Sequence, residues 1–374
     1  MKIAILGDAL DLQYAGIHYY LRELLQHLLV LDEQNEYLII RPEKKNYFSH
    51  FTNVKQLVVP VKNGLHQRFR LFTEIPLLLR KEQPDLVFEP AHFGPFLLPS
   101  KIKRVTMIHD LTPILFPAYH TKSSHYSHRA LLPNVLKNAH HLITNSNFSK
   151  QDLIRLFPFT KDKITAIPLG KDPIFHPNKN DENTQNVLNK YKIDSPYLLF
   201  VGTLEVRKNL DVLLEAFEAL KQETVYANIK LVLGGKRGWK NDGFFNKTNR
   251  SPFKKDIIEL GYIERADLPI LYREAKLFVY PSKYEGFGLP VLEAMACGTP
   301  VLSSNISSLP EVGGDAIAYF NPNSADELLS KIKELLLSKA VYNQMHIASL
   351  ERAKLFSWER TARETLKVFE ELGN

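Results

Sequence analysis

The chain has 374 residues, a net charge of +7 and a hydrophobic fraction of 44%. This length exceeds the size at which one hydrophobic core stops growing, so we expect two domains of fewer than about 200 residues each. No apolar run approaches the roughly 18 residues that a membrane-spanning helix requires. The single cysteine, Cys297, excludes an internal disulfide and is typical of a reducing compartment, so a cytoplasmic location is expected.

The positive charge is concentrated in the first half of the chain. Residues 1–180 carry 23 Lys and Arg against 15 Asp and Glu, whereas residues 181–374 carry 25 against 26. A basic surface indicates an anionic partner, such as a phosphorylated acceptor, an acidic glycan or an anionic membrane. An ordinary solvated surface explains the same charge equally well.

The first half alternates short apolar runs with helical periodicity. A helix is predicted over 17–31, and the strand candidates of this half are 2–6, 37–40, 86–88, 105–109, 141–145 and 164–167. This alternation predicts βα units around a parallel sheet. A polar stretch over 176–185 has no apolar period and is typical of a linker.

The same pattern restarts after the linker. A helix over 210–220 is predicted with Asn209 as its N-cap, and the strand candidates are 197–201, 229–233, 257–262, 277–280 and 300–303. We therefore predict two doubly wound α/β domains over 1–178 and 186–355. A last helix, 357–374, is expected to pack back toward the first domain. Ligands of such sheets lie beyond the carboxyl ends of the strands.

The segment YEGFGLPVLEAMACGTPV, residues 284–301, places one carboxylate before a helix and another inside it. The glycines around Phe287 free the backbone, and the proline that follows Leu289 is tolerated only in a first helical turn. A helix start binds anions, and Glu285 and Glu293 would flank this one with acceptors for hydroxyl groups. The pattern predicts a ligand in which phosphate lies beside sugar.

Two adjacent cations, Arg207 and Lys208, follow the strand that is predicted over 197–201. A guanidinium binds two phosphate oxygens in a planar fork, and an ammonium adds a point charge, so the pair suits a diphosphate. Taken alone, adjacent Arg and Lys are more often a solvated loop.

In combination and in this order, these features resemble the retaining glycosyltransferases of family 4, the group 1 glycosyltransferases. The resemblance covers nearly the whole chain and also includes the strand end 261–263 and the run 278–282. It implies the GT-B fold, in which two Rossmann-like domains face each other across a cleft and the second binds most of the nucleotide sugar.

The resemblance also implies roles for single residues. Arg207 and Lys208 would hold the donor diphosphate and stabilise the charge that grows on it. Glu293 would bind the ribose hydroxyls, Glu285 would bind hydroxyls of the donor sugar, and the strand end 261–263 would meet the base through its backbone. The implied donor-binding residues are Gly16, Gly202, Arg207, Lys208, Tyr262, Ile263, Glu285, Gly286, Phe287, Gly288, Leu289 and Glu293.

His109 begins the stretch HDLTPILFP and matches the family's active-site histidine. The implied catalytic residues are therefore His109, Arg207, Lys208 and Glu285. Gly16, expected in the loop after the first strand, resembles a family glycine that lets backbone approach the donor, but Ala15 replaces its usual glycine partner. That departure weakens the implication for this loop.

The sequence contains no Asp-x-Asp, so the carboxylate pair that holds a metal ion on the donor in the other major transferase fold is missing. No metal and no cofactor are expected, and the donor would be a GDP- or UDP-sugar. Walker A, dinucleotide-binding and zinc motifs are also missing, which argues against kinases, dehydrogenases and metallohydrolases. Nucleic acid is not an expected partner.

The predicted reaction is transfer of a hexose, with mannose as the first choice, to a hydroxyl of a glycan or lipid-linked glycan, with retention at the anomeric carbon. A double displacement with a glutamate nucleophile is disfavoured because both glutamates would be committed to hydroxyl groups. A nucleotide-sugar epimerase and a catalytically idle sugar-nucleotide-binding protein are the alternatives.

A segment over 64–81, GLHQRFRLFTEIPLLLRK, mixes basic and apolar side chains. It suits peripheral contact with the inner face of an anionic membrane. The preferred alternative is one ordinary helix on the sheet, with Arg68, Arg70, Arg80 and Lys81 in solvent.

Overall fold

In the computed structural model the chain forms two units, Met1–Gly170 with Ser357–Asn374, and Lys171–Phe356. The structure describes residues 1–12, 15–43, 45–178, 182–238 and 241–373. The boundary between Gly170 and Lys171 lies before the predicted linker. Part of that linker is helical, because the first helix of the second unit begins at Thr184.

The first unit is built on a seven-stranded sheet in which every pair is parallel and the order is 3-2-1-4-5-6-7. Its strands are β1 Lys2–Leu6, β2 Glu36–Arg41, β3 Val54–Val58, β4 Leu86–Glu89, β5 Lys103–Ile108, β6 His141–Thr144 and β7 Ile164–Ala166. Its helices are α1 Asp8–Leu12, α2 Ala15–Leu31, α3 Gly64–Arg70, α4 Glu74–Glu82, α5 Thr112–Leu115, α6 Lys122–Asn138 and α7 Asn147–Leu156.

The second unit repeats this plan with six parallel strands in the order 10-9-8-11-12-13. Its strands are β8 Tyr197–Val201, β9 Lys230–Gly234, β10 Ile257–Gly261, β11 Leu277–Tyr280, β12 Val301–Ser304 and β13 Ala318–Phe320. Its helices are α8 Thr184–Lys190, α9 Leu210–Leu220, α10 Asp242–Arg250, α11 Leu268–Glu274, α12 Leu289–Ala296, α13 Leu309–Gly313, α14 Ala325–Leu337 and α15 Lys339–Ala353.

The last helix, α16 Trp358–Gly373, belongs to the first unit. Its Phe369 is fully buried and packs on Phe88 of β4, with ring centroids 5.4 Å apart. The hydroxyl of Thr361 donates to the carbonyl of Pro168 at 2.7 Å. A Cβ on Gly170 would lie 2.1 Å from the nitrogen of Trp358, so the chain approaches α16 too closely for any other residue. None of the described helices is long and apolar enough to span a membrane.

The segment 64–81 is not the single helix that was expected, because it forms α3 and α4 with a break between them. Arg70 is not in solvent: it is 1% exposed, and its Nη1 lies 2.9 Å from an oxygen of Asp8. Arg68, Arg80 and Lys81 are exposed as expected. A buried arginine is stable here because a carboxylate from α1 pairs with it.

Replacing Phe369 with alanine should lower the free energy of unfolding by about 3–5 kcal/mol, because a large ring would leave a cavity between α16 and the sheet. Urea denaturation followed by circular dichroism measures this change. The control is Lys367→Ala on the same helix, where the side chain is 74% exposed. Equal midpoints for the two variants would show that α16 does not contribute to the core of the first unit.

Candidate active site

The loop after β8 is fixed by close backbone contact with the loop after β9. A Cβ on Gly235 would lie 1.9 Å from the carbonyl oxygen of Gly202, so the two chains can touch only where this residue is glycine. Both glycines have positive φ, 153° at Gly202 and 137° at Gly235. The loop then turns into a 3-10 segment, Val206–Lys208, which brings two cations to the carboxyl edge of the sheet.

Asn209 is not the capping residue that was expected. It stands at the N-cap position of α9 but has φ 55°, and its side chain makes no capping hydrogen bond. The side-chain amide of Asn209 instead donates through Nδ2 to the carbonyl of Pro322 at 2.7 Å. The left-handed backbone that ends the preceding turn directs the side chain away from the amides of α9.

Arg207, Lys208 and Glu285 form one buried ion cluster. Arg207 Nη1 lies 3.0 Å from Glu285 Oε2, and Lys208 Nζ lies 2.5 Å from Glu285 Oε1. The ammonium of Lys208 also donates to the hydroxyl of Tyr280 at 2.7 Å. Glu205 holds the other side of the guanidinium at 2.8 Å. The structure therefore brings together the three residues that the sequence suggested for the diphosphate and the sugar.

The charges in this cluster shift the pKa values of its members. Burial opposes ionisation of Glu285, but Arg207 and Lys208 overcome it and lower the pKa of the carboxyl from 4.5 to about 2. Burial and the neighbouring Arg207 lower the pKa of Lys208, and Glu285 acts in the opposite direction. Glu285 is therefore ionised at neutral pH and is held between two cations.

The loop that carries Glu285 is held by two serines that the sequence did not suggest. The amide of Glu285 donates to Ser307 Oγ at 3.0 Å. The hydroxyl of Ser308 donates to the carbonyls of Glu285 and Phe287 at 2.9 and 2.8 Å. Gly288 has φ 111°, and a Cβ there would lie 2.7 Å from Leu309. This backbone leads directly into α12 at Leu289, as predicted.

Gly286 and Phe287, which follow Glu285 in the same loop, offer a ligand no side chain. The ring of Phe287 is buried against Phe356, with centroids 5.9 Å apart, so this residue can offer a ligand only its backbone. Gly286, between Glu285 and Phe287, carries no side chain. The run from 286 to 289 thus forms a backbone rim beside the ion cluster.

Glu293 lies in the second turn of α12 and has a very different environment. The hydroxyl of Tyr272 donates to its Oε2 at 3.0 Å. Burial raises its pKa from 4.5 to about 7, although the positive charge of Arg265 and the tyrosine act against this rise. Arg265 is itself paired with Asp172 at 2.5 Å. Glu293 therefore changes charge near neutral pH.

The residues after β10 are partly open to solvent. Tyr262 is 64% exposed, and the ammonium of Lys236 lies 5.0 Å from the centroid of its ring. Ile263 is buried instead and packs against Gly234 at the end of β9. An exposed ring at a carboxyl strand end is available for stacking on a base.

His109 lies in the first unit, directly after β5. Its Nε2 donates to the carbonyl of Pro90 at 2.8 Å, and its backbone amide donates to Nε2 of His92 at 2.8 Å. Burial lowers its pKa, so the ring is neutral at pH 7, and its Nδ1 is the nitrogen left to accept a proton or hydrogen bond. Its ring also meets Tyr20 edge to face.

Gly16 is not in a loop, as the sequence suggested, but in the first turn of α2. The helix begins at Ala15, two residues earlier than predicted, because alanine and glycine lack the apolar period that marks the rest of α2. An added Cβ at Gly16 would meet nothing within 4 Å. No packing requirement for glycine therefore exists at this position among the described residues.

Four residues of the site were missed: Glu205, Tyr280, Ser307 and Ser308. Glu205 precedes Arg207 by two residues, but its ion pair with Arg207 depends on the 3-10 turn between them, which the sequence did not predict. Ser307 and Ser308 follow β12, and only the parallel order of β11 and β12 brings them to Glu285. Across the described ranges, no three His, Cys, Asp or Glu side chains are placed to hold a metal ion together.

Comparison with known proteins identifies the family. The profile of the glycosyl transferases group 1 matches residues 180–352, and that of glycosyltransferase family 4 matches residues 14–174. O-antigen chain mannosyltransferase B of Escherichia coli is 33% identical, and the match covers 99% of each chain. The chain belongs to the group 1 glycosyltransferases. It is therefore a transferase of glycosyl groups.

Solved structures of other proteins share the fold of this glycosyltransferase. Sucrose-phosphate synthase of Thermosynechococcus elongatus has a TM-score of 0.77 at 20% identity, covering 100% of this chain and 99% of that one. HepE of Anabaena, solved with UDP-glucose, has a TM-score of 0.77 at 16% identity, covering 99% and 100%. The predicted fold class is confirmed: two Rossmann-like units of the GT-B type.

Glu285→Gln should lower the free energy of unfolding at pH 7 by about 3–5 kcal/mol, because it leaves buried cations without their carboxylate. The difference from the native protein should persist above pH 4.5 and shrink as pH falls toward 2, since a depressed carboxyl pKa stabilises only while the group is ionised. Urea denaturation over this pH range measures it.

The control for this series is Glu215→Gln, which changes an exposed carboxylate of α9. It should stay within about 0.5 kcal/mol of the native protein. A Glu285→Gln difference that grew as pH fell would contradict the assignment of Glu285 as the ionised partner of Arg207 and Lys208.

Proposed function

We propose that this glycosyltransferase transfers mannose from a nucleoside diphosphate sugar, with GDP-mannose as the first donor to test, to a hydroxyl of a lipid-linked glycan. The relative from Escherichia coli is named a mannosyltransferase of the O-antigen chain, and HepE is solved with a nucleotide sugar. Both names support the proposal, and so does the HDLTPILFP stretch.

The buried cluster of Arg207, Lys208 and Glu285 is the observation that carries this proposal. Its cations lie at the carboxyl edge of a parallel sheet, where ligands of such folds bind. A diphosphate would meet both cations and the backbone of 286–289 at the start of α12 without a metal ion. The carboxylate would remain beside it as an acceptor for sugar hydroxyls.

In the proposed reaction the bond between the anomeric carbon and the β-phosphate oxygen breaks. The acceptor oxygen forms a bond to the same carbon on the same face, and its proton passes to the leaving phosphate oxygen. Arg207 and Lys208 stabilise the negative charge that grows on the diphosphate. A carboxyl with a pKa of about 2, held by two cations, is a weak nucleophile and base, which supports front-face transfer over a double displacement through Glu285.

The remaining contacts of the donor follow from the same edge of the sheet. Glu293 would accept from the two ribose hydroxyls, and the ring of Tyr262 would stack on the base beside Ile263 and Gly202. His109, with a neutral ring and Nδ1 as acceptor, is the proposed catalytic residue of the first unit. No metal and no cofactor take part in this scheme. Gly16 keeps its proposed place near the donor.

The acceptor would be held by the first unit, whose excess of positive charge suits an anionic or phosphorylated glycan lipid. The same positive charge supports a cytoplasmic protein that associates peripherally with the inner face of the membrane. Assays with GDP-mannose, and with UDP-glucose as the alternative donor, are run with and without lipid-linked glycan. They distinguish a transferase from a nucleotide-sugar epimerase. Transfer only with acceptor supports the proposal, and conversion of donor to an epimer would overturn it.

Arg207→Ala should lower kcat about 100-fold or more, because loss of one preorganised charge contact costs about 3 kcal/mol in a transition state. Steady-state transfer from GDP-mannose measures this change. Arg250→Ala, which removes an exposed arginine of α10, is the matched control and should leave kcat unchanged. Normal turnover by Arg207→Ala would refute the diphosphate assignment.

Glu293 should make donor binding depend on pH. Its pKa of about 7 means that half of the carboxyl is protonated at neutral pH, and only the ionised form offers both oxygens to the ribose hydroxyls. GDP affinity should therefore rise about tenfold more between pH 6 and 8 in the native protein than in Glu293→Gln. Calorimetric titration measures both. Parallel pH profiles would exclude Glu293 from the ribose site.

A further inference from the structure

The first unit contains a cavity of about 570 Å³ that the proposed reaction does not use. Its wall combines apolar and basic side chains, among them Leu97, Leu98, Ile102, Arg104, Lys137 and His140. Cavities of roughly 300–1,000 Å³ hold ligands of the size of small organic molecules. The volume is much larger than an inorganic phosphate ion needs.

This cavity lies at the edge of the sheet that is opposite to His109. Arg104 is the second residue of β5, and His140 immediately precedes β6, so the wall surrounds the amino ends of these two strands. His109 follows the carboxyl end of β5. The cavity is therefore separate from the part of the first unit that is assigned to the donor.

Three arginines are buried among the described residues of the first unit: Arg41, Arg70 and Arg104. Arg41 donates through Nε to a carboxylate oxygen of Asp11 at 3.0 Å, and Arg70 pairs with Asp8 at 2.9 Å. A buried charge needs such a partner, because desolvation without one is expensive. Arg104, the third of these arginines, has no such carboxylate partner among the described residues.

Arg104 is only 4% exposed, and no described carboxylate lies within ion-pair distance of its guanidinium. Its Nη2 donates to the carbonyl of Pro95, whereas Nε meets no acceptor among the described residues. Burial lowers the pKa of Arg104 to about 10, and Glu89 opposes this shift, so the group stays charged at pH 7.

Glu89 acts on Arg104 only from beyond ion-pair distance. Burial raises the pKa of its carboxyl well above 4.5, although the amide of Ala91, which donates to it at 2.6 Å, acts against the rise. Because burial disfavours the ionised form of Glu89, this carboxyl is a weak counterion for the guanidinium of Arg104. The guanidinium of Arg104 therefore faces a cavity in which an anionic ligand would supply the missing negative charge.

The rest of the wall indicates what kind of anion fits. Lys137 and His140 add donors near Arg104, and Arg80 donates to the carbonyl of Leu97 at 3.0 Å at the rim. Leu97 itself is 68% exposed, so an apolar side chain stands at the entrance. A buried guanidinium, with Lys137 and Leu97 exposed beside it, suits an amphiphile whose charged end reaches Arg104.

We propose that this cavity binds the phosphate group of an anionic lipid, with Arg104 and Lys137 on the phosphate oxygens and Leu97 and Leu98 along the start of the acyl chain. A guanidinium binds phosphate oxygens through its planar set of N–H donors, and Nε of Arg104 has no acceptor among the described residues. The site would hold the first unit on a lipid without using any residue assigned to the donor. This lipid site does not depend on mannose being the sugar that the enzyme transfers.

Calorimetric titration with dihexanoyl phosphatidylglycerol below its micelle concentration tests the site. The native protein should bind this lipid, and Lys137→Ala should bind it about tenfold more weakly, as expected for loss of one charged hydrogen bond. Arg104→Met keeps the shape of the side chain and should abolish binding. Lys122→Ala, on the same helix α6 but away from the cavity, should bind like the native protein.

Two further measurements, together with the lipid titration itself, decide whether the cavity binds a lipid phosphate. Circular dichroism should show that Arg104→Met is folded, and if it is not, Lys137→Ala carries the test alone. Inorganic phosphate that binds as tightly as the lipid would overturn the lipid assignment, because the apolar entrance would then contribute nothing. Absence of lipid binding, or equal binding by Lys137→Ala and the native protein, would overturn the site itself.

Discussion

The buried pairing of Glu285 with Arg207 and Lys208 is the interaction on which the second unit depends. Each cation is on a loop that follows β8, whereas the carboxylate follows β11, and these strands are neighbours in the sheet. The contact therefore forms only when the parallel order is correct. It also fixes two cations where the proposed diphosphate would bind, so the reorganisation cost of that binding would be met during folding.

Two glutamates eight residues apart have opposite electrostatic environments. Glu285 has a pKa of about 2 because two cations outweigh its burial, whereas Glu293 has a pKa of about 7 because its burial is opposed only by Arg265 and Tyr272. This difference separates their proposed tasks. A carboxylate that is ionised at neutral pH organises cations, and a carboxyl that ionises near neutral pH would make the proposed ligand binding sensitive to pH.

Much of this arrangement could be predicted from the sequence, because strand periodicity, the glycines around Phe287 and the paired cations are local signals. The edge strands β3 and β13 were missed because β3 has only half-buried and exposed positions and β13 has only three residues. Asn209 was given a capping role because propensity does not reveal a left-handed backbone. The serines that hold Glu285 are contacts between neighbouring strands, which no local pattern records.

The contribution of the second phosphate to binding tests the central claim most directly. If Arg207 and Lys208 hold a diphosphate, calorimetric titration should show that GDP binds the native protein at least about tenfold more tightly than GMP. In Lys208→Met the two nucleotides should differ much less, because the point charge that recognises the second phosphate is gone. Equal affinities of GDP and GMP for the native protein would contradict a diphosphate site at this cluster.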